Sequence, residues 1–315
     1  MPSLTTHYIF ADMVYKKLDK SILNTIDSKI YHTFAQSHDY LYYSFSKKLR
    51  KLGFIGHHEK TQDYLINIVK NIIDNNLQDN KECLGYLYGS ITHYVLDTVC
   101  HPYIFYKTGV YYKDDKERHK YIGGHTHIEK QLDAFYYKKY FNKEYHKANV
   151  SKEIIGNPKL SNNLKDLITK VYKETYNMDN IGQGYVRSIF ENRFIISGIT
   201  NDRFGIKYHI LKFLNLFMHS HPEYYSSYIK EPIYHYLNEE KKEWNNPCDK
   251  KDKYNYSFDE LLQLSEKKCI EIINKCHECI YKTKDIEKLK KYIPDIDYAN
   301  GYSCSDHRKM QYFEY

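Results

Sequence analysis

The stretch "YGSITHYVLDTVCHPYIFY", residues 88–106, decides how the chain is read. It is apolar enough for a protein core, yet His93, Asp97 and His101 recur at every fourth position, and only Pro102 interrupts the pattern after them. Side chains four residues apart share one face of an α-helix. The stretch therefore reads as a helix that turns two imidazoles and a carboxylate to one side. Burying such groups unpaired costs several kcal/mol, a cost that a divalent cation removes. Hydrogen bonds between helices are the competing explanation.

Outward from this helix the same period dominates. "YIFADMVYKKL" carries Ile9, Met13 and Leu18, and "KTQDYLINIVKNIID" carries Tyr64, Leu65, Ile68, Val69 and Ile72 on one face. Residues 82–101, 126–140, 162–176, 185–200, 206–218 and 257–281 read likewise as helices. No segment shows clean alternation between hairpin turns, so the predicted class is all-α, a multi-helix bundle. Residues 107–124 are expected to form a charged, solvent-exposed loop. The expected organisation is a helical domain over 1–238, a polar connector over 239–256 containing Pro247, and a C-terminal helical extension over 257–315 packed on the same domain. The tail "DYANGYSCSDHRKMQYFEY" has no helical pattern.

Bulk properties narrow the function classes. The 315 residues are 42% hydrophobic, enough for a large core, but no apolar run reaches the roughly 18 residues of a membrane span. The N-terminus lacks a cationic segment followed by a long apolar one, so no secretory leader is read and the default compartment is the cytoplasm, with non-standard export as the alternative. Seven irregularly spaced cysteines do not resemble a disulfide framework and suggest a reducing compartment. The net charge of +7 suits an anionic partner, although the dispersed lysines equally describe a solvated surface.

A His followed by an acid four residues on occurs four times, at His93/Asp97, His125/Glu129, His219/Glu223 and His235/Glu239, where chance gives about two. The last two stand beside Pro222 and in a charged stretch, and are read as background. The first two lie on strongly apolar helices and are each extended at i+8, by His101 and by Asp133. Zinc prefers imidazole nitrogen and carboxylate oxygen, so two such helices facing each other can build a zinc site. Asp133 is read either as a group orienting a ligand histidine or as a surface ion pair. His127 is expected to point away from the ligand face. Cys269, Cys276 and Cys279 share a helix but lack a second ligand pair, and are read as buried small hydrophobes.

The ordered set of these segments resembles the bacterial zinc-dependent phospholipase C family, whose all-α fold is shared with fungal single-strand-specific nucleases. The likeness is carried by His7 in "TTHYIFA", Asp39 in "AQSHDYLYY", His57 or His58 in "GFIGHHEKTQDYL", then His93, Asp97 and His101, then His125 and Glu129, in order over residues 5–140. The resemblance implies a cluster of two or three Zn2+ ions. Asp39, His57 (or His58), His93 and Asp97 would surround one, His101, His125 and Glu129 a second, and His7 with a bridging Asp97 a third. Asp39 would be the catalytic group that orients or deprotonates the attacking water.

Three departures from the family pattern stand out. In the family the third zinc also takes the mature N-terminus, whereas here only six residues precede His7. The spacing from Asp97 to His101 is shorter than usual, with the matching family histidine lying beyond the proline. Ser37-His38 replaces a glycine-proline before the catalytic aspartate, and His38 is read as a solvent-exposed loop residue, with a donor supporting a ligand from behind as the alternative. The implied activity is phospholipase C hydrolysis of a glycerophospholipid, with transient membrane-surface contact. A nuclease or phosphomonoesterase on the same scaffold, a non-catalytic metal-binding protein, and an all-α interaction module without metal are the competing readings. Nucleic acid thus stays open as a substrate.

Overall fold

The structure is a computed structural model that describes residues 4–218 and 220–314. The chain is all-α apart from one small hairpin. In order, α1 spans Leu4–Tyr15, α2 Lys20–Leu23, α3 Ser28–Phe34, α4 Asp39–Tyr42, α5 Lys47–His58 and α6 Thr61–Asp74. They are followed by α7 over Lys81–Thr108, α8 over Gly124–Phe141, α9 over Asn162–Tyr176, α10 over Ile181–Ile195 and α11 over Ile206–Met218. Strands β1 (Trp244–Asn246) and β2 (Asp249–Tyr254) precede α12 (Phe258–Glu278) and α13 (Ile286–Lys290).

Helix α7 is the axis of the molecule. Its 28 residues extend about 42 Å, and from Cys83 onward nearly every side chain is buried. Asn80 caps its start, its Oδ1 accepting from the backbone N–H groups of Glu82 (3.1 Å) and Cys83 (3.2 Å). A helix buried on every face must be surrounded, and α1, α3, α6, α8, α9 and α12 all pack against it. The closest approach is to α3. A methyl group at Gly89 would stand 2.3 Å from the carbonyl oxygen of Tyr31, and one at Gly85 would stand 2.8 Å from that of Asp27. Two missing side chains one turn apart thus let the backbone of α3 lie against α7.

Two expectations are corrected. Pro102 does not end the helix, which continues to Thr108, so the following loop is shorter than the expected 107–124. A proline inside a helix frees the carbonyl four residues back, here that of Thr98. Gly301, at φ +74°, packs over that spot, where a side chain would meet the Thr98 oxygen at 3.0 Å and Pro102 Cγ at 3.1 Å. Second, residues 239–256 are not a plain connector. They fold into the antiparallel β1–β2 pair, with Trp244 opposite Tyr254 and their rings 4.6 Å apart. Beyond it, α12 starts from a capping box between Ser257 and Glu260 and lies along α7.

Asp133 is not a surface residue, and it bears on a candidate ligand histidine through the backbone that carries His7. It is buried on α8, and its Oδ1 accepts from the Thr6 backbone N–H at 2.8 Å and the Thr6 hydroxyl at 3.0 Å. Gln36 donates to the Leu4 carbonyl at 2.8 Å. Together they fix the first turn of α1 and hence His7. Gly89→Ala is expected to cost at least about 2 kcal/mol by forcing α3 off α7. Urea unfolding at an unchanged m-value is the check, and a midpoint equal to that of the parent chain would refute this account of the contact.

Candidate metal centre

Five elements converge on one buried spot. Helix α1 supplies His7, α4 opens with Asp39, α5 supplies His57, α7 supplies His93, Asp97 and His101, and α8 supplies His125 and Glu129. All eight are buried except His125, whose side chain is 29% exposed, so the centre opens on the side of α8. Three groups have ligand atoms within 4.8 Å of one another: His7/His93/Asp97, Asp39/His57/His93 and His101/His125/Glu129.

The distances describe one connected cluster. His7 Nε2 lies 3.1 Å from Asp97 Oδ1, and His93 Nε2 lies 3.3 Å from Asp97 Oδ2. His57 Nε2 is 3.1 Å from Asp39 Oδ1 and 3.3 Å from His93 Nε2. His101 Nε2 stands 3.5 Å from both Asp97 Oδ1 and Glu129 Oε1, and His125 Nε2 stands 2.9 Å from Glu129 Oε1. Asp97 therefore bridges the two halves, and the short spacing to His101 still brings that ring to Glu129.

The polar atoms that remain unpaired show what the cluster lacks. His57 Nδ1 donates to the Gly53 carbonyl (2.7 Å) and His101 Nδ1 to the Tyr298 carbonyl (3.1 Å). In their neutral forms both rings then turn a lone pair inward, at carboxylate oxygens and, for His57, at another imidazole nitrogen. Asp39 Oδ2, Asp97 Oδ2, Glu129 Oε2, His7 Nδ1, His93 Nδ1 and His125 Nδ1 are buried with no hydrogen-bond partner among the described residues. Lone pairs facing lone pairs at this spacing repel unless positive charge lies between them. Five imidazoles and three carboxylates are a donor set suited to zinc, and each of the three groups can hold an ion.

The protein alone meets this demand unevenly. Burial pushes the Asp97 carboxyl up, but the neighbouring charges of His101, His93 and His7 outweigh it and hold the group far below the ordinary range. Burial likewise acts against His101, yet Asp97 and Glu129 draw it up to about 9. Glu129, raised by burial, is brought down to about 2 by His125 and His101. Burial wins at the other end, lowering His93 well below its usual value and raising Asp39.

The zinc-dependent phospholipase C family model matches residues 6–180, more than half of the chain and the whole stretch that carries the eight residues. The chain belongs to that family. No curated protein and no solved structure matches it. Zinc dependence and phosphodiester chemistry follow for the phospholipase C domain at the level of the family.

Other expected residues fall elsewhere. His58 turns away from the cluster to Asp297, with Nδ1 to Oδ2 at 2.8 Å, leaving His57 as the histidine brought to Asp39. His38 is not exposed. It is fully buried against Tyr64, Tyr172 and Tyr176, and burial holds its ring well below the usual histidine range. Ser37 takes φ +32° where the family has glycine, and its carbonyl is held by the Tyr185 hydroxyl. The His127 ring lies tilted against Tyr224, with centroids 4.3 Å apart. His219 lies outside the described residues, and Glu223 is bound by His221 and Asn215. Cys269, Cys276 and Cys279 are buried and free.

The sequence reading missed Tyr298. Residues 295–304 cross the centre as a strap. The Tyr298 N–H donates to the His57 carbonyl (2.9 Å), and its own carbonyl holds His101. Asp297 ties the strap to His58 and accepts from the Ala299 N–H at 2.7 Å. His58→Ala is expected to speed hydrogen exchange of the strap amides, Tyr298 and Cys304 among them, by about tenfold at little cost in global stability. Unchanged exchange would mean that the clasp does not hold the strap.

Proposed function

We propose that the chain is a phospholipase C, hydrolysing the glycerol-side P–O bond of a glycerophospholipid to diacylglycerol and a phospho-headgroup. The observation that carries this reading is the buried cluster of five imidazoles and three carboxylates whose inward lone pairs need cations, set within a zinc-dependent phospholipase C domain. His7, Asp39, His57, His93, Asp97, His101, His125 and Glu129 are the proposed ligands of two or three zinc ions. Zinc held there supplies Lewis acidity, which acidifies water and neutralises charge on phosphoryl oxygens.

Asp39 has the proposed catalytic part. Its Oδ1 meets His57 while Oδ2 has no hydrogen-bond partner among the described residues, which leaves one acceptor for a proton of the attacking water. The water oxygen bonds to phosphorus as the P–O bond to glycerol breaks, and the leaving oxygen takes up the proton. Asn192, which donates to the Tyr40 carbonyl at 2.7 Å, and Tyr185 on Ser37 hold the backbone on either side of Asp39.

Elemental mass spectrometry of the purified chain is expected to find about two to three equivalents of zinc, lost in a His93→Ala/His125→Ala variant. Absence of metal after zinc is added back would end this reading in favour of a hydrogen-bonded core. Asp39→Asn is expected to lower diacylglycerol release by about 10²–10⁴-fold with most of the zinc retained. Undiminished release would remove Asp39 from the reaction. Turnover of single-stranded nucleic acid in place of phospholipid would reassign the substrate.

A further inference from the structure

Helix α11 is built inside out. None of its residues is buried, and Ile206, Ile210, Phe213, Leu214 and Phe217 form an exposed stripe along about 20 Å. Phe217 is 73% exposed, and Phe204, just before the helix, is 76% exposed. Its less exposed side, Lys207, Tyr208, Leu211 and Asn215, is mixed, and the contacts that hold it include polar ones. Asn215 Oδ1 accepts from the backbone N–H groups of Ser220 (3.0 Å) and His221 (2.8 Å), and its amide reaches Glu223. The buried Asp202 accepts from the Tyr208 N–H (2.7 Å) and the Ser226 hydroxyl (2.9 Å). The helix is thus held in part by polar contacts, while its largest apolar side chains are turned to solvent. Phe190 and Phe194, one turn apart on α10, and Ile199 after it are exposed as well.

Charge identifies the occupant. Residues 203–222 contain Arg203, Lys207 and Lys212 but no Asp or Glu. Among the described residues none of these three cations meets a carboxylate, and Lys207 instead donates to the Asn201 carbonyl at 2.8 Å. Glu231, the next exposed acid along the chain, faces Lys138. An apolar stripe with unpaired cations at its margins fits an interface of acyl chains beneath anionic headgroups. The position agrees. Helix α11 packs on the turn Pro222–Tyr225, whose Tyr224 lies on His127 and against Gly123, at the end of α8 that carries His125, the one exposed member of the cluster.

We propose that α11, with Phe204 and the exposed phenylalanines of α10, docks the protein on an anionic phospholipid surface beside the mouth of the metal centre. The docking stands on the helix itself. Only its purpose, delivery of lipid to the centre, rests on the phospholipase reading above.

The test is flotation of the zinc-loaded chain with vesicles of phosphatidylcholine, with and without about 20% phosphatidylserine. The parent chain is expected to float with the anionic vesicles and to be released by high salt. Ile210→Ser/Phe213→Ser/Phe217→Ser is expected to weaken binding by at least about tenfold, with hydrolysis of a water-soluble diester unchanged. A Phe217→Trp chain reports directly, because Trp244 is buried, and its emission is expected to move to the blue when anionic vesicles are added. No flotation of the parent, no emission shift, or triple-variant binding equal to the parent's would overturn the proposal. A parent dimer that the triple substitution converts to a non-floating monomer would assign the face to a second copy instead. A chain that floats but releases no diacylglycerol would leave the docking intact and remove the phospholipase reading.

Discussion

Three carboxylates and five imidazoles cannot be withdrawn from water together unless positive charge is placed among them. Everything near the axis of this molecule is arranged around that demand. Helix α7 can carry His93, Asp97 and His101 through the core because six other helices exclude water from its remaining faces. The exclusion depends in turn on Gly85 and Gly89, which let α3 approach. The same packing that stabilises the core by removing apolar surface from water makes an empty cluster costly, so folding and metal binding draw on one free energy.

The fold was legible wherever one period ran long enough to be seen. Helices α6, α9 and α11 begin and end within a residue or two of where their patterns do, and α7 was clear from the pairing of its polar stripe with an apolar background. What was not legible has identifiable causes. Pro102 looked like a stop because sequence alone cannot show that the carbonyl it frees lies under Gly301. The β1–β2 hairpin was hidden because its outward positions are lysines and its single inward pairing, Trp244 with Tyr254, is too short for an alternation to register.

The residues of the centre were legible in a different sense. Spacing drew attention to His93/Asp97/His101 and His125/Glu129, whereas His7, Asp39 and His57 came from resemblance, since each is an isolated polar residue in its own segment. Neither route could choose between His57 and His58, which differ only in which side of α5 they occupy. Tyr298 escaped both, because it acts through its backbone, and a carbonyl leaves no mark in a pattern of side chains. His38 was misread for a related reason. A polar residue in a loop is usually wet, and its burial here depends on Gly56, where any side chain would overlap the imidazole.

The strap has a consequence in time. His101 and the carbonyl that holds it are 197 residues apart, and His58 and its clasp 239 apart. During synthesis the eight clustered side chains emerge long before the loop that closes over them. The nascent chain therefore passes through a stage in which the helical core is complete but the centre still lies open on the strap side. That side closes only with the last turn of chain, and a chain broken off before residue 295 would keep the clustered side chains without their clamp.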